Sequence, residues 1–300
     1  MERFGANNVT KFSVDAPATP IWQFSTEGMT ESNSNPYNIV FVNSTKAYLI
    51  RYGSPKVWII NPSATVESEF KIGELDLSAY SNCDGNPEMA NGIIVDGKLF
   101  IVMQRLCNWV PNASAYIAVF DVNTDTEINT GQGGSLKGIK LDVSNPVAKL
   151  KYYNNYIYVA GADGTLFGAN NPIIGGIQKI NTTTYVADPN IIEGHTQITG
   201  LEILSDTKGY FIQYQAWANN SLKTFNPQTG VVTPGNVANI GDTGDENLQD
   251  IIIDADGLLW LADGSLIDPG VYIIDPATDT IQEGPIFTNL NPLEISFCEK

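Results

Sequence analysis

DIIIDADGLLWLADGSLIDPGVYIIDPATDTIQ, residues 250–282, is the stretch that decides the fold. Ile251, Ile252 and Ile253 form a short apolar run between turn residues. Asp256-Gly257 reads as a two-residue hairpin turn, because a type I′ turn needs positive φ and Gly accepts it without steric cost. Residues 258–262 then return as a second strand with Trp260 in the middle. Residues 271–274 make a third strand, and Asp275-Pro276-Ala277-Thr278 turns the chain into a fourth at 280–282. Four antiparallel strands in so short a stretch cannot bury a core by themselves. Stacked copies can, and the rest of the chain supplies them.

The hairpin around Trp260 has four counterparts, at 44–50, 96–102, 154–160 and 206–212. Aligned on their turns, Tyr48, Phe100, Tyr158, Tyr210 and Trp260 share one position, at intervals of 52, 58, 52 and 50 residues. A ring recurring so regularly is read as core, each stabilising by roughly 1.5–3 kcal/mol. The second turn also repeats, opening at Asp15, Asn61, Asp121, Asn181, Asn226 and Asp275. Asn or Asp caps such a turn with its own side chain, and Pro at the next place presets φ. Innermost strands are expected near 38–42, 92–95, 147–152, 200–204, 250–253 and 293–297. The last unit stops after its first strand, and the first unit begins with its outer strands at 9–14 and 21–25. The two ends complement one another. The expectation is an all-β chain, a six-bladed β-propeller spanning 1–300 as one domain, its ring closed by a blade shared between the N- and C-termini.

Composition narrows the partners. Hydrophobic residues make up 43% and charged residues 16%, so the chain folds. The net charge is −17, from 16 Lys and Arg against 33 Asp and Glu. That argues against nucleic acid and anionic lipid surfaces as direct partners. No apolar run approaches the roughly 20 residues of a membrane-spanning helix. Three cysteines and one histidine form no disulfide framework, CxxC pair or zinc spacing. No G-x-S-x-G turn accompanies His195, which reads as a structural or surface residue. No cofactor is indicated. Calcium is left open at Gly241-Asp242-Thr243-Gly244-Asp245-Glu246, although the loop does not fit the EF-hand spacing.

The hairpin pattern D-G-x-L-W/Y-V-A followed by V-x-V-I-D-P-x-T resembles the YVTN/YncE-type extracytoplasmic bacterial β-propellers, most closely at 254–263. Residues 2–9, ERFGANNV, are similar to a passage of surface propellers from Bacteroidetes-like bacteria. The resemblance covers most of the chain as architecture and says little about function, since propellers host binding modules and enzymes alike. It implies an exported, extracytoplasmic protein in the periplasm or at the cell surface, often lipid-anchored. A monomer is expected, and the Asn/Thr/Tyr-rich, Lys-poor composition, as in many exported bacterial proteins, with no signal peptide at residues 1–4, leads to the expectation of a leader outside this sequence.

Loops at the ends of the second strands hold the candidate site, because a rigid scaffold presents them. Arg3, Arg51 and Arg105 stand near three such ends in a chain short of cations. They either grip a carboxylate or sulfate or pair with Glu2, Glu31, Glu88 or Asp263. Trp109 and Trp217 sit in polar loops, where they either anchor a sugar or protein partner or cover the blade ends. Gln213 and Asp263 complete the candidate ligand-binding set. Cys83 and Cys107 lie on loops expected to share a face, so a disulfide is geometrically open to them; Cys298 reads as a buried thiol. The expected function is a non-enzymatic binding or scaffold module for a protein, glycan or small ligand. The alternative is a metal-dependent lactonase or hydrolase of the gluconolactonase kind, which would ask Glu2, Asn247, Asp250 and Asp263 to hold a divalent ion. Against it, Leu248-Gln249-Asp250 stands where that kind carries P-D-G.

Overall fold

The computed structural model describes residues 1–29, 31–162, 175–192, 197–242 and 244–297. Its strands form six antiparallel sheets in two compact units. The first unit comprises 1–146 with 184–187, and the second 147–183 with 188–300. Thr243, His195 and Cys298, named above, lie outside the described residues. Among the described residues no helix is long and apolar enough to cross a membrane.

In the first unit, β1 (Asn8–Ser13) pairs with β2 (Ala16–Ser25). The second sheet follows in chain order as β3 (Pro36–Asn43), β4 (Lys46–Arg51), β5 (Lys56–Ile60) and β6 (Lys71–Asp76). The third is β7 (Met89–Val95), β8 (Lys98–Met103), β9 (Tyr116–Asp121) and β10 (Thr126–Glu127), with β11 (Ile139–Lys140) also on β9. In the second unit, β12 (Lys151–Tyr153), β13 (Tyr156–Gly161) and β14 (Gly176–Asn181) form the fourth sheet. The fifth is β15 (Ile198–Ser205), β16 (Lys208–Ala216) and β17 (Asn219–Phe225). The sixth is β18 (Leu248–Ile253), β19 (Leu259–Asp263), β20 (Gly270–Asp275) and β21 (Thr280–Phe287).

Second strands are buried on both faces, so they lose the alternation of a half-exposed strand. In β4, Ala47 and Leu49 face a cluster with Val9, Phe24, Trp58 and Phe70, while Tyr48 and Ile50 face another with Leu75, Leu99 and Ile101. In β16, Phe211 packs with Tyr158 and Ile177, and Tyr210 with Leu259 and Ile274. Tyr48, Phe100, Tyr158 and Tyr210 are buried, as their periodicity predicts; Trp260 is only half-buried.

Polar ties cross between these sheets. Lys46 Nζ donates to Val122 O and to both Asp125 oxygens, and the Tyr48 hydroxyl donates to the same carboxylate. The second unit repeats the device: Lys208 Nζ donates to Pro276 O and Asp279, and the Tyr210 hydroxyl to Asp279 Oδ1 at 2.6 Å. Where Phe100 replaces Tyr, no hydroxyl seeks an acceptor. Tyr185 then takes the carboxylate's place, with Lys98 over its ring and Phe100 beside it.

Two expectations need correction. Asp256-Gly257 is not a two-residue type I′ turn. Asp254 Oδ1 accepts the N–H groups of Asp256 and Leu258, and its Oδ2 accepts the Trp260 indole N–H, closing a longer loop with only Gly257 at positive φ (82°). Residues 293–297 form no strand. Their backbone is engaged by a side chain instead of a ladder: Ile295 N–H donates to Asp250 Oδ2 at 2.9 Å, and Phe297 sits edge-on to Trp260.

Candidate functional site

The three arginines have three different fates. Arg51 is fully buried at 0% exposure. Its guanidinium donates to Thr26 O, Lys56 O, Ser54 Oγ and Glu31 Oε2, the last at 2.7 Å, and lies over the Trp58 ring. Every side of it is occupied, so it holds loops together. Arg105 donates to the main-chain carbonyls of Tyr80 and Ser114 and lies over Tyr116. Among the described residues Arg3 is bonded through Nε alone, to Asn35 Oδ1 at 2.7 Å. Its guanidinium sits 4.0 Å from the centre of Tyr37 and 4.6 Å from that of Phe4.

From Arg3 an aromatic ladder runs along the loops of the first unit. Tyr37 stacks on Tyr52 at 5.3 Å, and Tyr52 on Trp109 at 6.1 Å with planes 18° apart. Tyr37 enters the second sheet after Asn35-Pro36, and Tyr52 leaves the same sheet after Arg51, so one hairpin sets both rings side by side. Trp109 arrives from the third sheet. Cys107 and Val110 exchange backbone hydrogen bonds of 2.9 and 3.1 Å, with Asn108 (φ 51°) and Trp109 (φ 68°) as the turn. This is the geometry that Asn-Gly normally fills. A Trp in the left-handed region costs on the order of 1 kcal/mol, and strain of this kind collects where a side chain must be presented. The Cys83–Cys107 disulfide anchors the turn. Trp109 is 59% exposed and Phe4, at the other end, 75%.

A buried acid lies behind the ladder. Glu88 is 4% exposed and adopts φ 49°. Burial pushes its carboxyl up to about 8, with nearby Asp84 adding to the rise. Its Oε2 accepts the Leu106 N–H at 2.7 Å, and Gln104 N–H donates to its backbone carbonyl. The Tyr52 hydroxyl donates to Gln104 Oε1, and Gln104 Nε2 donates to Pro146 O. Hence Tyr52 is fixed at its edge as well as its faces. The sequence reading omitted Tyr37 and Tyr52 from the candidate ligand set. The available signal was an aromatic in both the entry and the exit loop of one sheet.

The remaining candidates belong to the second unit. Gln213 lies half-buried within β16, opposite Ile198 and Ser221. The polar loop of Trp217 is short: with Ala218 it forms the tight tip between β16 and β17, 68% exposed. Asp263 is buried, which raises its pKa, while Oδ1 accepts the N–H groups of Asn247 and Ser265. Asp250 pairs with Lys149 at 2.8 Å, and Asn247 Nδ2 donates to Gly264 O. In the calcium candidate loop, Glu246 Oε2 accepts the N–H groups of Gly244 and Asp245, and Asp242 accepts from Asn236.

Charged side chains on the inner strands were missed from sequence. Lys151 and Glu202 each stand opposite one of the recurrent aromatics, Tyr158 and Tyr210, so they share a level and meet at 2.7 Å. Burial opposes the charge on Lys149, but Asp250 and Glu294 outweigh it and raise its pKa.

No protein-family model matches the sequence, and no curated protein sequence matches it. Solved structures do. The chain is similar to hydrazine synthase of Kuenenia stuttgartiensis, with TM-score 0.58 and 15% identity over 84% of this chain and 66% of that one, just under two thirds. It is similar to a catalytically inactive variant of virginiamycin B lyase from Staphylococcus aureus with quinupristin, with TM-score 0.56 and 16% identity over 87% of this chain and 73% of that one. It is also similar to the Dos1 propeller, with TM-score 0.53 and 10% identity over 84% and 59%. At such identities the likeness concerns the fold alone. Antiparallel sheets in serial order, together with these neighbours, make the fold a β-propeller.

Proposed function

We propose that this chain is a non-enzymatic binding propeller that captures its ligand at the loop face carrying Trp109. The observation behind this reading is Trp109 itself. It is an exposed indole in a backbone conformation that disfavours it, fixed by a disulfide on one side and a ladder of rings on the other. A rigid aromatic loses little conformational entropy when it binds, which makes it an effective anchor. The disulfide also suits an exported, extracytoplasmic protein, because such bonds persist in oxidising compartments. We read the six sheets as six blades, and the chain ends as the two parts of the closing one. The complementary halves of the repeat support that reading.

The test is capture from native extracellular or periplasmic material by immobilised protein, with ligand identified by mass spectrometry. Trp109→Ala should lower affinity for the captured ligand at least about tenfold, as should Cys107→Ser, which unfastens the turn. Trp217→Ala, which alters an exposed Trp outside the ladder, should leave it unchanged. Equal capture by all four proteins would remove the platform from the account.

A further inference from the structure

We propose that Arg3 is the anion-reading end of this platform and that the ligand is an acidic saccharide, one whose ring bears a carboxylate or sulfate. The inference rests on the platform reading and names its ligand class.

Arg3 differs from the other two arginines in what it leaves unused. Among the described residues its Nη1 and Nη2 make no hydrogen bond, and no carboxylate lies within ion-pair distance. An Arg fork held in one plane is suited to two parallel hydrogen bonds with a planar anion. The plane of Arg3 is set by three contacts: Phe4, Tyr37 and the Nε bond to Asn35. Asn35 is itself fixed, buried at φ 47° with its N–H donated to Asn7 Oδ1. The guanidinium is thus oriented before any ligand arrives.

The Trp109 end points to the rest of the molecule. Amides border its turn: Asn108 precedes it, and Asn82 donates to Asn112 Oδ1 at 2.6 Å and to Arg105 O. A ring face beside amides fits a pyranose, whose C–H face stacks while its hydroxyls take hydrogen bonds. The net charge of −17 limits how acidic that ligand can be. Beyond a Debye length of about 10 Å at 0.1 M salt the repulsion is screened, so one charge seated on Arg3 is accepted where a polyanion is resisted. The ligand class is therefore a sparsely charged oligosaccharide.

An array of uronic-acid-bearing, sulfated and neutral oligosaccharides, probed with the full chain, tests this directly. Acidic spots should retain the protein, and reducing the sugar carboxyls or removing the sulfates should release it; which treatment works distinguishes the two anions. Arg3→Gln should weaken retention at least about tenfold, Arg3→Lys less, with unchanged circular dichroism for both. Trp109→Ala should weaken acidic and neutral sugars alike. Failure to retain any acidic saccharide overturns the inference, as does retention indifferent to Arg3→Gln. Trp109-dependent capture of a neutral sugar or a protein, with Arg3 irrelevant, overturns the acidic-sugar assignment and leaves the platform standing. Retention indifferent to Trp109→Ala sinks the platform.

Discussion

Replacing Asp125 by Gly removes the acceptor shared by Lys46 Nζ and the Tyr48 hydroxyl. Gly suits the position, because Asp125 has φ 55° and Gly230 (φ 72°) already stands at the matching place in another turn. Tyr48 is 0% exposed, and its hydroxyl would be left with only Val122 O, 3.5 Å away. Stranding a buried hydroxyl costs about 1–3 kcal/mol. The ion pair with Lys46 is partly exposed on both sides, so solvent screening limits it to at most about 1 kcal/mol. Asp125→Gly should therefore cost about 1–4 kcal/mol, a large share of a total near 5–15 kcal/mol. Urea denaturation in a double-mutant cycle with Tyr48→Phe checks the source of that cost. Tyr48→Phe alone should cost about 1 kcal/mol, since Asp125 keeps Lys46. In the Asp125→Gly background the same change removes the stranded hydroxyl and should be neutral or stabilising. If the two losses add to within about 0.5 kcal/mol, the hydroxyl–carboxylate bond is not what joins the sheets.

Glu88→Gln should stabilise the protein at pH 7 by as much as about 3 kcal/mol. The folded-state carboxyl titrates near 8, above its unfolded value of about 4.3. Its contribution is thus complete below the unfolded value and is lost as pH rises through the folded one. Gln keeps an acceptor for the Leu106 N–H, so parallel pH–stability curves for the two proteins would show that Glu88 is not the titrating group. If the chain ends form one closing blade as proposed, spin labels on the exposed positions Phe12→Cys and Leu293→Cys, with Cys298→Ser, should report one short, narrow distance by dipolar spectroscopy. A long or broad distribution would refute a shared blade.

How much was legible follows from how local each feature is. The second-strand hairpins rest on neighbours in sequence, and Asp96-Gly97 (φ 48° and 71°) forms the expected two-residue turn. Asp254 shows the limit of that reading: its carboxylate reaches Trp260, six residues on, and rebuilds the turn around itself. Residues 293–297 show another limit. Apolar alternation suggests a strand, but a strand needs a partner edge, and pairing is not written in the segment. The site was half legible. Trp109 and Arg3 stood out as a loop aromatic and a scarce cation. Tyr37 and Tyr52 flank one hairpin, and an aromatic at both its ends was a readable signal; the stacking of Tyr52 on Trp109 joins two sheets, which neither periodicity nor motif spacing could show.

Repetition nonetheless carries non-local information that a single copy would hide. Lys46-x-Tyr48 and Lys208-x-Tyr210 each face an Asp at the fifth place of a turn, Asp125 and Asp279. Lys98-x-Phe100 faces Tyr185, also at the fifth place. A hydroxyl in one sheet needs an acceptor in the next, whereas a bare ring needs only another ring. The residue types therefore change together across copies of one chain. Such paired change predicts contact without any second sequence, because the copies solve the same packing problem side by side. By the same reasoning Trp109 stands apart. Its turn is not reproduced by a matching Asn-Trp in the other sheets, and no packing requirement of the repeat calls for an exposed indole at positive φ. What the repeat leaves unexplained is where a ligand's requirement, rather than the fold's, best accounts for the residue.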